Sequence, residues 1–490
     1  MALFSVHVSW HSLISPIAIV VLASVLAYYY LFRRPPFPKD APRRTSEDWP
    51  IIGSPRFFTQ HGDFNLRGLA ISASNNFSFY LGKHQVVSIG ANGRKTYFEN
   101  SSLNAGEGYA TLFTGTPRGQ GASESSMGDG HYQSKFGRTV IQLLKKTYLS
   151  TRTPVLAADV KSSMESLVRQ ASCVDATMKP FETVHGIVWQ QTLRLVGADE
   201  IAASADNRNY VLRLFEDIAE SASPLRVMFP MLPTLGHVKR MVAGARLFGM
   251  LQGFVNERRT SGRKENDALQ FLMDSGEDMT GITGFIAGGL FAGQLNTSVN
   301  AAWLLIYLAT NEEWHNKVRQ EVDAALERRG VDQTRGPEET TDILSRLSLD
   351  EWVSEFPLID NCLKETIRFQ LPGTLCRKNT GNSPLPIVGS NDVIPRDAFV
   401  VYLTDNCHFN PDIYSEPLKW DPDRYSAKRA EDTKVQYAYM GWGVGRHSCL
   451  GMTAAKMEIT MVVAFFVALF DFHLLDEQDW RTGEVEKRKA

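Results

Sequence analysis

Apolar residues recur at helical spacing over most of this chain. Segments 159–170, 181–197, 209–221, 238–258, 267–274, 281–309 and 312–328 each place them every three to four positions, which predicts amphipathic or buried helices. Strand-like runs are few and short, the best being 77–80, 86–89, 385–388 and 399–404. No internal repeat and no long linker interrupts residues 45–490. The pattern therefore predicts one large domain there, mainly α with small β-sheets (α+β).

The first 44 residues follow a different pattern. Residues 1–32 hold no Asp, Glu, Lys or Arg, and 13–32 is an uncharged run of 20 residues. At about 1.5 Å per residue that run spans a hydrocarbon core about 30 Å thick. Tyr28, Tyr29 and Tyr30 suit the membrane interface, and Arg33 and Arg34 follow at once. The positive-inside rule then predicts an N-terminal transmembrane anchor over 1–32 with the rest of the chain in the cytosol. A cleaved signal peptide would carry its positive charge before the apolar run, not after it. Residues 33–44 hold four prolines in a basic segment, which predicts a stiff, extended hinge.

Composition narrows the function classes. With 43% hydrophobic and 22% charged residues the chain is neither disordered nor fibrous. Its 52 Lys+Arg against 54 Asp+Glu leave a net charge of −2, which argues against a nucleic-acid binder needing a basic face. Five cysteines, widely spaced and without a CxxC pair, predict neither a disulfide framework nor a structural zinc site.

One of those cysteines has informative surroundings. Trp442-Gly443-Val444-Gly445-Arg446-His447-Ser448-Cys449-Leu450-Gly451 runs straight into the apolar segment 452–470. A glycine-dense loop thus ends in one cysteine at a helix start, where backbone N–H groups donate to sulfur and lower the thiol pKa. Gly443 and Gly445 allow close backbone approach to a flat ligand, and Gly451 leaves room beside the sulfur. A glycine-rich turn around an ordinary buried cysteine is the plainer alternative. The segment resembles the haem-binding loop of the cytochrome P450 family, F-x-x-G-x-[RH]-x-C-x-G, with Trp442 in place of the aromatic and His447 at the position where many members have Arg, as in the sterol demethylase branch. The resemblance implies haem (heme b) with Cys449 as its axial thiolate and metal ligand, and His447 facing a propionate. A thiolate in that position favours O–O cleavage.

Further motifs follow in the family's order. Glu365-Thr366-Ile367-Arg368 puts opposite charges at i and i+3 on one helix face, by itself worth about 0.2–0.5 kcal/mol as a solvated pair. Trp420-Asp421-Pro422-Asp423-Arg424-Tyr425 resembles F-x-P-x-R-F. Together these imply a structural triad of Glu365, Arg368 and Arg424. In 281–309, Gly281, Gly284, Gly288, Gly289 and Gly293 each cost about 1 kcal/mol against alanine in a helix, so something must need close backbone approach. Helix–helix packing is one reading. The other is the resemblance of Ala292-Gly293-Gln294-Leu295-Asn296-Thr297-Ser298 to the family's oxygen-binding groove, A-G-x-[DE]-T-[TS]. Here Leu295 replaces the usual acid and Asn296 the usual threonine, so Asn296 is expected to order a water chain with Thr297 assisting. Upstream, His131 to Phe136 resembles a Q-x-K-F variant in which Lys135 reaches a propionate. Tyr109 and Arg377 are implied propionate contacts as well.

The resemblance implies a membrane-anchored haem-thiolate monooxygenase of cytochrome P450 fold on the cytosolic face of the endoplasmic reticulum. One oxygen atom from O2 would enter an apolar small molecule of terpenoid, steroid or alkaloid type, as in fungal secondary metabolism. No flavin- or nucleotide-binding unit is visible, so electrons would come from NADPH through a separate flavoprotein reductase. The losses at Leu295 and Asn296 feed an alternative, a haem-thiolate isomerase or dehydratase that takes a peroxide without external electrons. A haem sensor or electron carrier and a haem-free helical scaffold are the remaining classes.

Overall fold

The computed structural model describes residues 18–25, 33–112, 135–171, 177–220, 224–228, 234–330, 336–370, 373–475 and 485–488. Contacts divide the chain into two compact units, one of Met1–Arg118, Ala222–Leu232 and Cys376–Tyr402, the other of Gly119–Ser221, Pro233–Leu375 and Leu403–Ala490. The sequence pattern had suggested a single body over 45–490.

The smaller unit is built on a five-stranded sheet. Strands β1 (Phe77–Leu81) and β2 (His84–Ile89) form an antiparallel hairpin, and β3 (Leu103–Asn104), β4 (Thr374–Asn379) and β5 (Phe399–Leu403) complete the order β1-β2-β5-β4-β3. β2 and β5 pair in parallel, with Val86 opposite Phe399. Phe57, Phe64, Phe77, Phe79, Val86, Phe399 and Val401 form its core. Helix α1 (Ala105–Leu112) follows β3, and at Gly108 a Cβ would sit 2.3 Å from the Arg377 Cα. Only glycine lets α1 lie so close to β4.

The larger unit is helical. Its main elements are α2 (Lys135–Leu143), α3 (Lys146–Ala171), α4 (Pro180–Val196), α5 (Leu235–Ser261), α6 (Met279–Thr310), α7 (Glu312–Glu327), α8 (Pro357–Gln370) and α9 (Met452–Leu469). α6 is capped by Asp278, whose side chain accepts from the Gly281 N–H, and α7 by Asn311, which accepts from the Trp314 N–H. α6 packs along α4 and also against α8 and α9. The helix–helix reading accounts for three of its glycines: a Cβ at Gly289 would meet Val196 Cβ at 3.1 Å, one at Gly293 would meet Thr192 Cγ2 at 2.9 Å, and one at Gly288 would meet Phe136 at 3.0 Å.

Of the anchor expected over 1–32, residues 18–25 are described. They are helical, with Ile19, Val20, Val21, Leu22 and Val25 all exposed, and the remainder lies outside the described residues. Among the described residues only α9 is long and apolar enough to cross a membrane, and 72% of that stretch is buried inside the protein, which makes it a core helix.

Candidate active site

The cysteine loop is shaped by its glycines and by its own backbone. Gly443 has φ +68°, and a Cβ there would stand 2.4 Å from the His447 carbonyl oxygen; Gly445 has φ +61° and opens a single 3₁₀ turn over Gly445–His447. The Gly443 N–H donates to Met440 O at 2.9 Å, and the Cys449 N–H donates to Trp442 O at 2.6 Å, closing the loop on itself. Trp442 and Leu450 pack partly buried against the main core. Cys362, Cys376 and Cys407 are buried, whereas Cys449 is half-buried. Beside Gly451 the nearest atom a Cβ would meet is Leu144 Cδ1 at 3.9 Å, so room is left next to the sulfur. The Gly451 N–H donates to Cys449 Sγ and pulls its pKa down, but burial is the larger effect and pushes the thiol up. That corrects the expectation of a net lowering: one N–H does not offset the loss of water around the sulfur.

On α6, Ala292, Leu295, Asn296 and Val299 are exposed, at the spacing of one helix face. Leu295 is 41% and Val299 39% exposed, although their helix runs through the core. Thr297 is only 4% exposed and lies about 100° around the helix from Asn296, among the buried positions Gln294, Ser298 and Ala301. The two residues expected to cooperate therefore point in different directions, and the open stripe offers Asn296 alone as a polar group. Behind it, the fully buried Gln294 places its Nε2 3.1 Å from His185 Nδ1, and Ser298 Oγ donates to the Gln294 carbonyl at 2.9 Å.

Glu365, Arg368 and Arg424 come together with no exposed surface on any of the three side chains. The Glu365 carboxylate accepts from Arg368 Nε at 2.8 Å and Nη2 at 2.7 Å, from Arg424 Nε at 3.1 Å, from the Asp421 N–H at 3.0 Å and from Tyr425 Oη at 2.9 Å. Arg424 also pairs with Glu431 at 3.0 Å and donates to the carbonyls of Glu416 and Lys419, while Arg368 donates to those of Pro417 and His408. This is no solvated helix pair. It ties α8 to the irregular segment 408–431 that leads toward the cysteine loop.

The other expected contacts are placed as follows. Lys135 opens α2, and its Nζ lies 2.7 Å from Glu277 Oε2, so the charge implied for a propionate is engaged by a carboxylate just before α6; His131 to Ser134 lie outside the described residues. Tyr109 is half-buried in α1, and burial pushes its phenol up. Arg377 is 3% exposed, its guanidinium 4.5 Å over the Tyr97 ring and bonded to the Tyr97 carbonyl. The propionate roles of Tyr109 and Arg377 rest on the resemblance alone.

Two buried groups escaped the sequence reading. His408 has no exposed surface; its Nε2 accepts the Met440 N–H at 3.0 Å at the start of the loop, and the Tyr439 ring stacks on it. Burial, aided by Arg368, lowers its pKa to about 3, so the imidazole stays neutral and able to accept. Glu458 in α9 is 3% exposed, with Thr192 Oγ1 donating at 3.4 Å, and burial raises its pKa to about 8. A lone His or Glu in an apolar run carries no pattern that reveals such a role.

A family model described as Cytochrome P450 matches residues 49–486. The cytochrome P450 monooxygenase AacuE of Aspergillus aculeatus is 30% identical over 96% of this chain and 94% of its own length. The cytochrome P450 monooxygenase nsrP of Aspergillus novofumigatus is 31% identical over 94% of this chain and 88% of its own. Obtusifoliol 14-alpha demethylase of Sorghum bicolor is 28% identical over 62% of this chain and 61% of its own. Among solved structures, the retinoic acid-bound cyanobacterial CYP120A1 aligns with a TM-score of 0.70 at 18% identity, covering 92% of this chain and 99% of that one, a likeness of fold.

Proposed function

This chain belongs to the cytochrome P450 family of monooxygenases, and from that premise we propose that it oxidises an apolar small molecule of terpenoid, steroid or alkaloid type in secondary metabolism. The observation that carries this reading is the open stripe of α6, where Ala292, Leu295 and Val299 offer apolar surface around the single amide of Asn296.

The family implies a haem held by a cysteine thiolate, and the loop fits it. Cys449 is the one described cysteine that is not fully buried, its sulfur faces an N–H donor, and the glycine positions flanking it leave backbone rather than side chains at the surface. Cys449 would bind the iron, and His447 is proposed to meet a propionate. Bound there, haem would supply the centre at which O2 is split with two electrons and two protons from outside, one oxygen atom entering the substrate and the other leaving as water. Leu295 and Val299 exclude water from the apolar stripe and hold the substrate by burial. Asn296 can donate and accept, and so can hold a water in place, but it has no proton to give near neutral pH. Water must therefore relay the protons that an acid would otherwise provide. The Glu365 centre and His408 hold the backbone before the cysteine loop in one arrangement.

Electrons are proposed to come from NADPH through a separate flavoprotein reductase, on the cytosolic face of the endoplasmic reticulum, where residues 1–32 would anchor the chain. The run of fungal monooxygenase relatives supports this setting. Purified protein with reductase, NADPH and ¹⁸O2 should incorporate one labelled atom per product. The second reading, peroxide isomerisation or dehydration, is favoured by Leu295 and Asn296 standing where the family has acid and threonine. Product from a peroxide substrate without NADPH, and none from O2 with the full electron supply, would establish that reading instead.

A further inference from the structure

The larger unit carries a file of redox-active rings. It begins on the open stripe of α6: Trp303 and Tyr307 follow Val299 at four-residue steps and so continue the face that bears Asn296. Trp303 and Tyr307 stack with centroids 5.8 Å apart and planes 30° apart. Tyr307 and Trp420 stack almost parallel, at 5.1 Å and 9°. Trp420 then meets Trp314 edge-on, at 6.3 Å and 81°. Trp314 lies in the first turn of α7, itself only 7% exposed but next in sequence to the exposed Glu312 and Glu313.

Trp314 and Trp420 belong to the main core and Tyr307 packs against it, but packing by itself requires no oxidisable ring. What indole and phenol add is ease of oxidation, and rings in van der Waals contact exchange an electron far faster than rings separated by aliphatic side chains. The polar partners also fit passage of charge. Gln370 Nε2 donates to the Tyr307 hydroxyl, and burial raises that phenol's pKa to about 12. An amide cannot take the phenolic proton, so Tyr307 serves as a stacked bridge and the charge rests on the indoles. Trp420 Nε1 donates to Thr366 Oγ1 at 3.2 Å. At the outer end Lys317 Nζ lies 4.5 Å over the Trp314 ring and would oppose a positive charge there, but Glu313 Oε1 sits 2.6 Å from the same ammonium and compensates it.

We propose that Trp303, Tyr307, Trp420 and Trp314 form a charge-hopping path that carries an oxidising equivalent away from the pocket to Trp314, beneath the exposed Glu312 and Glu313, when turnover stalls without substrate. Each event moves one electron inward along the file and cancels one oxidising equivalent at the haem. The indole left oxidised at Trp314 gives its Nε1 proton to water, and a soluble thiol restores it with one electron and one proton. Without a thiol, the indole radical combines with dissolved O2 and is trapped as oxygenated tryptophan. The proposal rests on haem being held at Cys449, so the test establishes that first.

Full-length holoenzyme and the variants Trp303→Phe, Tyr307→Leu, Tyr307→Trp and Trp314→Phe are first shown by their CO difference spectra to hold thiolate-bound haem. A parent that fails this step refutes the haem premise rather than the path. Substrate-free protein is then exposed to hydrogen peroxide without thiol, and oxygenated residues are mapped by mass spectrometry while haem bleaching is followed. The path predicts marks at Trp314 and Trp420 in the parent, exceeding those on the exposed Trp49. It predicts several-fold loss of these marks with several-fold faster bleaching in Trp303→Phe and Tyr307→Leu, recovery in Tyr307→Trp, and a shift of the mark to Trp420 in Trp314→Phe. Equal marks at Trp314 in parent, Trp303→Phe and Tyr307→Leu, or in haem-free Cys449→Ala protein, would overturn it, because solvent peroxide would then be the source.

Discussion

At the scale of single residues, the Glu365 carboxylate does most to hold the site's frame. It receives donors from Arg368, Arg424, Tyr425 and the Asp421 backbone in a fully buried setting, so removing its charge leaves the Arg368 guanidinium buried without its counterion and Arg424 with Glu431 alone. Glu365→Gln should therefore cost about 3–5 kcal/mol in chemical denaturation and lower haem retention. The E-x-x-R spacing occurs by chance in most chains of this length, and its weight here comes from burial, which spacing does not reveal. Glu458 provides a pH test. Its pKa rises from an ordinary 4.5 to about 8 on folding because burial disfavours the charged form. At about 1.36 kcal/mol per pKa unit this corresponds to roughly 5 kcal/mol. The unfolded chain ionises first, so this group's contribution is favourable below pH 4.5 and is lost progressively as pH climbs toward 8. Glu458→Gln should flatten the stability profile across that window and leave the variant more stable than the parent at pH 8, as urea midpoints at several pH values would show. An unchanged profile would mean that Glu458 is not buried as described.

At the scale of elements, helical periodicity located α4, α5, α6 and α7 to within a few residues, since apolar spacing is what makes those helices bury one side. Periodicity missed α2 altogether and the first half of α3. α8 was anticipated only through its charge pair, because its buried Glu365 and Arg368 count as polar in any apolar pattern. The glycines of α6 show a second limit. Their density was legible, but its purpose divides between packing on α4 and α2 and the groove implied by resemblance, and only the contacts at Gly288, Gly289 and Gly293 separate the two. Gly293→Ala should destabilise the protein, because its Cβ would press on Thr192 at 2.9 Å. Gly253→Ala in α5, with nothing within 4 Å, should stabilise it by up to about 1 kcal/mol. Denaturation midpoints moving the same way in both variants would refute the packing account of α6. Likewise, adjacency in sequence suggested that Asn296 and Thr297 act together, and the 100° step of a helix turns them apart.

At the scale of the whole molecule, α6, the ion-pair centre and the cysteine loop follow one another along the chain, and the ion-pair centre joins α8 to the segment 408–431 before the loop. The near-neutral charge of −2 and the apolar open stripe both suit a small uncharged substrate better than a polyanion. Electron supply separates the two catalytic readings: the monooxygenase should lose all product when the reductase is omitted, whereas a peroxide isomerase should be indifferent to it. Whether Cys449 gives its thiolate to haem iron is read from the CO difference spectrum of the dithionite-reduced full-length protein beside Cys449→Ala. Thiolate ligation by Cys449 gives a strongly red-shifted Soret band in the parent and none in the variant. The same band persisting in Cys449→Ala, or a parent spectrum typical of imidazole-ligated haem, would contradict it.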